Sequence, residues 1–200
     1  MSQRVAILGA SGLLGSWLVR EYQEAELLAT CHSRPGPGLV CLELADLKAL
    51  TGLIRGFKPE VVFLCAALSD PSQCQAEPKT AWAINTAPAG RLAELAREIG
   101  FRLIFISSDL VFDGTKGDYV ETDPTAPLSV YGSTKEAAEK AVLSARADCL
   151  AVRISLLLGS DFQGLAGNLA WMNRSFRAGQ KVHLFVDEFR SPAAAAELAR

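Results

Sequence analysis

Val5-Ala6-Ile7-Leu8-Gly9-Ala10-Ser11-Gly12-Leu13-Leu14-Gly15 is the stretch that decides how this chain folds. Four apolar residues in a row suit a strand buried on both faces. Glycine then recurs at every third position, and Leu13, Leu14, Trp17 and Leu18 lie at helical spacing in a run that reaches Tyr22. The reading is strand, tight turn, helix. Gly9 permits the turn, Gly12 lets a pyrophosphate approach the backbone, and Gly15 lets the helix press on the strand. With the amides of Ser11, Leu13 and Leu14 at the positive end of a helix dipole, the turn is a candidate phosphate cradle.

The alternation continues outward from there. Leu27–Cys31 and Leu39–Leu42 read as strands separated by a Pro/Gly-rich loop, and Ala45–Phe57 as a helix. Val61–Ala66 is the most apolar strand, and Ser69–Glu77 reads as a polar loop. Thr80–Ile99 carries Ile84, Pro88, Leu92, Leu95 and Ile99 at helical spacing, with Pro88 kinking it or marking its first turn. Leu103–Ile106 is strand-like, Tyr131–Leu143 helical, and Cys149–Leu158 a further strand. Continuous apolar strands between helices predict a doubly wound parallel α/β sheet of the Rossmann kind.

Composition narrows the partners. The 200 residues carry 20 Lys+Arg and 22 Asp+Glu, a formal net charge of -2 without a basic run, which argues against nucleic acid or a membrane surface as partner. Cys31, Cys41, Cys65, Cys74 and Cys149 are odd in number and form no C-x-x-C pair, as suits free thiols in a reducing, cytoplasmic setting. Cys74, in the polar loop, is expected to be exposed. Arg4 precedes fifteen uncharged residues, yet their repeated glycines and the lack of a small-x-small cleavage site argue against a leader peptide. The run is also shorter than the ~20 residues needed to span a bilayer. His32 and His183 are the only histidines and lack metal-ligand spacing, so no metal site is expected.

The G-x-x-G-x-x-G spacing resembles the extended short-chain dehydrogenase/reductases. In such folds an acid at the end of the second strand binds the ribose 2′-OH of NAD, whereas this chain reads Thr30-Cys31-His32-Ser33-Arg34. Ser33 and Arg34 suit a 2′-phosphate, so NADP(H) is expected ahead of NAD(H). Asp46-Leu47 resembles the pair that contacts adenine in these proteins; an N-cap for the following helix accounts for Asp46 equally well.

Tyr131-Gly132-Ser133-Thr134-Lys135 places a phenol and an ammonium four residues apart, on one helix face. An ammonium beside a phenol is expected to lower its pKa and make it a usable general acid. Ser107-Ser108-Asp109 ends the Leu103–Ile106 strand, at the carboxyl edge where parallel sheets bind ligands. A hydroxyl there would hold a carbonyl oxygen while the tyrosine protonates it and a nicotinamide delivers hydride.

Ile106–Lys140, ISSDLVFDGTKGDYVETDPTAPLSVYGSTKEAAEK, is similar to the signature of the dTDP-4-dehydrorhamnose reductase family, and the likeness runs from Val5 to about Ala199. The resemblance implies that Ser108 is the catalytic hydroxyl, Tyr131 the acid, and Lys135 the lysine that also holds the nicotinamide ribose. It further implies that Asn85 supports the site and that Cys65-Ala66-Ala67 is the small-residue turn beneath the cofactor. Arg153-Ile154-Ser155 and the Asp187–Pro192 segment, with Arg190, would border a nucleotide-sugar substrate. Trp82, Trp171 and Phe162 read as packing residues rather than a stacking platform, with Trp171 and Asn168 also candidates to line that cleft.

The sequence departs from the family at two points. Leu110 stands where the family has tyrosine, and the chain stops roughly 80–100 residues, about a small domain, short of the family's usual length. The expected organisation is a dinucleotide-binding domain over residues 1–155 and the start of a truncated substrate lobe over 156–200. The expected activity is NADPH-dependent reduction of a 4-keto nucleotide sugar, with a homodimer as the assembly considered. Two alternatives stand beside it. One is a cofactor-binding regulatory subunit, since the methionine adenosyltransferase β subunit resembles the same family; the other is a sugar-nucleotide epimerase or dehydratase.

Overall fold

The computed structural model describes residues 2–145, 147–164, 167–184 and 186–200. Its centre is a six-stranded sheet of β1 (Arg4–Leu8), β2 (Glu26–Cys31), β3 (Leu39–Cys41), β4 (Val61–Leu64), β5 (Arg102–Ser108) and β6 (Cys149–Ile154). All neighbours are parallel, in the order β3-β2-β1-β4-β5-β6. The order reverses between β1 and β4, so connections leave to opposite sides and open a crevice at the carboxyl ends of those strands.

Val5, Ala6, Ile7 and Leu8 of β1 are all fully buried because alternate residues enter different cores. Ala6 and Leu8 pack with α2 (Leu47–Phe57), α5 (Ala87–Ile99) and α6 (Val130–Ser144) through Leu50, Ile54, Leu92, Leu95 and Val142. Val5 and Ile7 pack instead under α1 (Leu13–Glu21) through Leu14 and Leu18, with Ala199 beside them. An apolar run without alternation is what a strand covered on both faces requires.

Ser69–Glu77, read above as a loop, contains the short helix α3 (Pro71–Ala76), and Cys74 within it is fully buried, with its thiol donating to the Leu68 carbonyl at 3.2 Å. Asp70 caps that helix by accepting from the Ser72 and Gln73 amides. Thr80–Ile99 is two helices, α4 (Pro78–Asn85) and α5, divided at Thr86. A proline stands in the opening turn of each of α3, α4 and α5, where the N–H it lacks has no intrahelical partner. Cys149–Leu158 also divides: β6 completes the main sheet, while β7 (Leu157–Leu158) pairs in parallel with β8 (Ala193–Ala194) in a second, two-stranded sheet.

Between those two short strands lies α7 (Asn168–Arg177), and α8 (Ala195–Leu198) follows them. Trp171 on α7 and Trp82 on α4 are nearly half exposed, so neither is the packing residue its size suggests. Among the described residues no helix is long and apolar enough to cross a membrane.

Candidate active site

A cavity of ≈ 680 Å³ occupies the crevice. Gly9, Ser11, Gly12, Leu13, Leu14 and Gly15 form its floor at one end. Gly12 is the N-cap of α1 and offers no side chain to its first turn, whereas Asp46, Asp70 and Ser129 cap α2, α3 and α6. The opening amides of α1 are thus left for a ligand in the cleft. Thr30, at the end of β2, fastens the turn: its hydroxyl accepts from Gly9 N at 3.2 Å and its carbonyl from Ala10 N at 2.7 Å. Gly15 makes the close approach possible, since a Cβ there would stand 2.2 Å from the Gly9 carbonyl oxygen.

Ser33 and Arg34 line the same end, both exposed, and the Arg34 guanidinium donates to the Ser11 carbonyl. Glu43, which sequence reasoning missed, also lines the cavity and meets His32 at 3.1 Å. Asp46 and Leu47 do not line it: Asp46 accepts from the Lys48 and Ala49 amides as the cap of α2, and Leu47 packs against the core. Leu42, Glu43 and Leu44, just after β3, line the cavity instead.

At the other end, Cys65, Ala66 and Ala67 follow β4 along the wall, facing Tyr131 and Lys135 from the first turns of α6. Here too a glycine sets the contact. A Cβ on Gly132 would lie 2.2 Å from the Leu110 carbonyl oxygen, so this residue lets α6 settle on the 3-10 turn Asp109–Val111. Asn85 lies behind the wall rather than on it. Its side chain accepts from Leu68 N at 2.8 Å and donates to the Leu68 carbonyl and to the Thr134 hydroxyl, both at 3.1 Å. It thereby ties the loop after β4 to α6.

Ser107 lines the cavity, while Ser108 is buried beside it. The Ser108 hydroxyl donates to Asp109 Oδ1 at 3.2 Å and accepts from Leu110 N at 3.2 Å. Burial pushes the Tyr131 phenol above its ordinary range, and a hydrogen bond with Ser108 pulls the other way. The expected lowering by Lys135 is not what this geometry produces. Lys135 Nζ lies 4.3 Å from the centre of the Phe105 ring, and burial brings its pKa down to about 8 against the opposing pull of Cys65 and Glu139.

Glu139, one turn beyond Lys135, was also missed. It is buried, accepts from the Ser107 hydroxyl, and takes three bonds from the Arg153 fork, the shortest at 2.7 Å. The lysine-to-glutamate spacing was visible in sequence; the partners on β5 and β6 were not.

Arg190 reaches Asp109 with two bonds, 2.9 and 2.7 Å, and pairs with Glu188 at 2.8 Å. Ser155 donates to the same carboxylate at 2.7 Å. Asn168 turns inward on its own loop, bonding Gly159 N and the Leu157 carbonyl. The geometry therefore gathers Ser108, Tyr131, Lys135 and Arg190 around one end of the cleft and leaves Asn168 in a supporting position.

Sheet order and cleft together define a Rossmann-type protein of the short-chain dehydrogenase/reductase class. The chain belongs to the RmlD substrate binding domain family, whose model matches residues 3–200. It is 41% identical over 160 residues to methionine adenosyltransferase 2 subunit beta of Rattus norvegicus, covering 79% of this chain and 48% of the relative. It is 33% identical over 202 residues to the probable low-salt glycan biosynthesis reductase Agl14 of Haloferax volcanii, covering 96% and 67%.

Among solved structures, a hypothetical dTDP-4-dehydrorhamnose reductase from Sulfolobus tokodaii superposes with TM-score 0.86 at 30% identity, over 98% of this chain and 70% of that one. The dTDP-4-dehydrorhamnose reductase of Bacillus anthracis in complex with NADP gives 0.84 at 27%, over 100% and 69%. The chain spans about half the length of the methionine adenosyltransferase relatives.

Proposed function

We propose that this chain carries the cofactor cleft and catalytic residues of an NADPH-dependent reductase that converts the 4-keto group of a nucleotide-activated sugar to an alcohol. One observation carries the reading: Tyr131 and Lys135, one helical turn apart beside Ser108, stand at one end of a cleft whose other end is an uncapped helix start with Arg34. The donor set fits a phosphorylated dinucleotide. Backbone amides face the diphosphate position, Ser33 and Arg34 suit a ribose phosphate, and the volume lies within the range of small-molecule sites. The NADP complex of the Bacillus anthracis relative supports the same cofactor, with NAD(H) the less favoured choice.

When bound, a reduced nicotinamide supplies the hydride. Burial keeps the proton on the Tyr131 oxygen at neutral pH, so the phenol donates only as charge develops on the carbonyl oxygen. Ser108 Oγ orients that oxygen, and Lys135, one turn beyond Tyr131 on the same wall, is placed to hold the nicotinamide ribose. The segment over 156–200 begins the substrate side, with Arg190 drawn to the catalytic serine through Asp109.

The test is NADPH oxidation with a panel of 4-keto sugar nucleotides, comparing the protein with Tyr131→Phe. Sugar-dependent oxidation that the variant lacks is the expected result. The identity to methionine adenosyltransferase 2 subunit beta favours a second reading, a cofactor-binding regulatory subunit. NADPH binding without turnover on any sugar would support that alternative, and interconversion of sugars without net oxidation would support an epimerase.

A further inference from the structure

Cys31 and Cys41 play no part in the chemistry above, yet they are register partners at the ends of β2 and β3, with sulfurs 3.4 Å apart. Cys31 is buried and lines the cleft; Cys41 is exposed and does not. A disulfide needs a sulfur separation of about 2.05 Å, so closure asks for a movement of roughly 1.4 Å. β3 is able to supply it, being a three-residue edge strand that among the described residues pairs only with β2. The segments that leave the two cysteines, His32–Arg34 and Leu42–Leu44, both line the cleft, and the Leu42 amide bonds the Cys31 carbonyl at 2.8 Å. Drawing the strand ends together therefore displaces residues on both sides of the phosphate-facing end.

We propose that Cys31 and Cys41 form a reversible redox site, which hydrogen peroxide closes to a disulfide and a dithiol reopens, and that the closed bridge weakens NADPH binding. The second half rests on the cofactor reading given above; the first does not. The exposed Cys41 sulfur, as thiolate, attacks the peroxide, the O–O bond breaks, and Cys41 becomes a sulfenic acid as hydroxide departs and is protonated. The Cys31 sulfur then attacks Cys41, the S–O bond breaks, and a second water leaves with the Cys31 proton. Two thiols lose two electrons and two protons, and the peroxide becomes two waters. Burial and the adjoining thiol raise the Cys31 pKa, so it keeps its proton until that second step.

The experiment treats the protein with hydrogen peroxide, maps its peptides without reduction, and titrates NADPH before and after, then again after dithiothreitol. The expected result is a mass loss of about 2 Da, a linked peptide pair containing Cys31 and Cys41, and an NADPH Kd raised about tenfold and restored by the dithiol. Cys41→Ser should bind NADPH like the reduced protein and ignore peroxide. A link through Cys65, Cys74 or Cys149, no link at all, or an equal loss of binding in Cys41→Ser overturns the proposal. A mapped bridge that leaves the Kd unchanged overturns its regulatory half. Failure of the untreated protein to bind NADPH would instead count against the cofactor reading, with the bridge still decided by mapping.

Discussion

At one end of the cleft Gly15 lets α1 sit against the turn that precedes it; at the other Gly132 lets α6 sit against the turn after β5. Both glycines bring a helix start to within a distance that a methyl group would forbid. What the two helices then present is opposite. α1 offers bare backbone, uncapped and flanked by exposed Ser33 and Arg34, while α6 is capped by Ser129 and offers side chains, the half-buried Tyr131 and the fully buried Lys135. Polar backbone suits a ligand that brings its own charge, and desolvated side chains suit a step in which charge must appear and be held.

Substituting either glycine should break the shared device. Gly15→Ala and Gly132→Ala each drive a Cβ into a backbone carbonyl, and each should cost about 3 kcal/mol or prevent folding, read by urea denaturation. Tolerance at one site alone would show that the two ends are not equivalent. Tyr131→Phe should lower kcat on a 4-keto sugar nucleotide by about 10²–10⁴-fold, with NADPH affinity unchanged in a fluorescence titration. Arg34→Ala should do the converse, weakening NADPH by about 10–100-fold while leaving NADH affinity and saturated turnover alone.

Lys135 sharpens the contrast through pH. Its folded pKa of about 8 lies below the ordinary 10.5 because burial disfavours the ammonium. Below about 8 both folded and unfolded chains carry the proton and the buried charge costs its full amount; from there to 10.5 the unfolded chain binds the extra proton, so stability rises with pH. Denaturation across that interval should show the slope, and Lys135→Met should flatten it. Turnover should fall above about 8 as the ammonium is lost. The smallest effect belongs to Asp46→Ala, which should cost about 1 kcal/mol of stability through the lost cap without altering NADPH affinity.

The backbone-built end was the more legible in sequence. Glycines at fixed spacing after an apolar run carry their own geometry, so the residues from Gly9 to Gly15 could be placed without knowing what lay around them. The parallel sheet was legible for a related reason, since a strand such as Val5–Leu8 shows no polar alternation only when both faces are covered.

What escaped was whatever depended on distant partners. Glu139 looks like an ordinary helix-surface acid until Arg153 and Ser107 arrive from two strands, and Asp109 like an ordinary turn acid until Arg190 and Ser155 reach it from irregular segments. α3 escaped differently. Its start signal, Asp70 followed by Pro71, was present, but six residues are too few to show a period. For the same reason Cys74 looked exposed when it is buried.

Arg190 keeps its charge at every pH the protein will meet, and its guanidinium already faces two carboxylates. An incoming diphosphate that recruits this arginine therefore swaps one counter-anion for another. Such an exchange would release the Asp109 carboxylate next to the Ser108 hydroxyl as the newcomer docks, so that the partner of Arg190 and the charge beside the serine would change together.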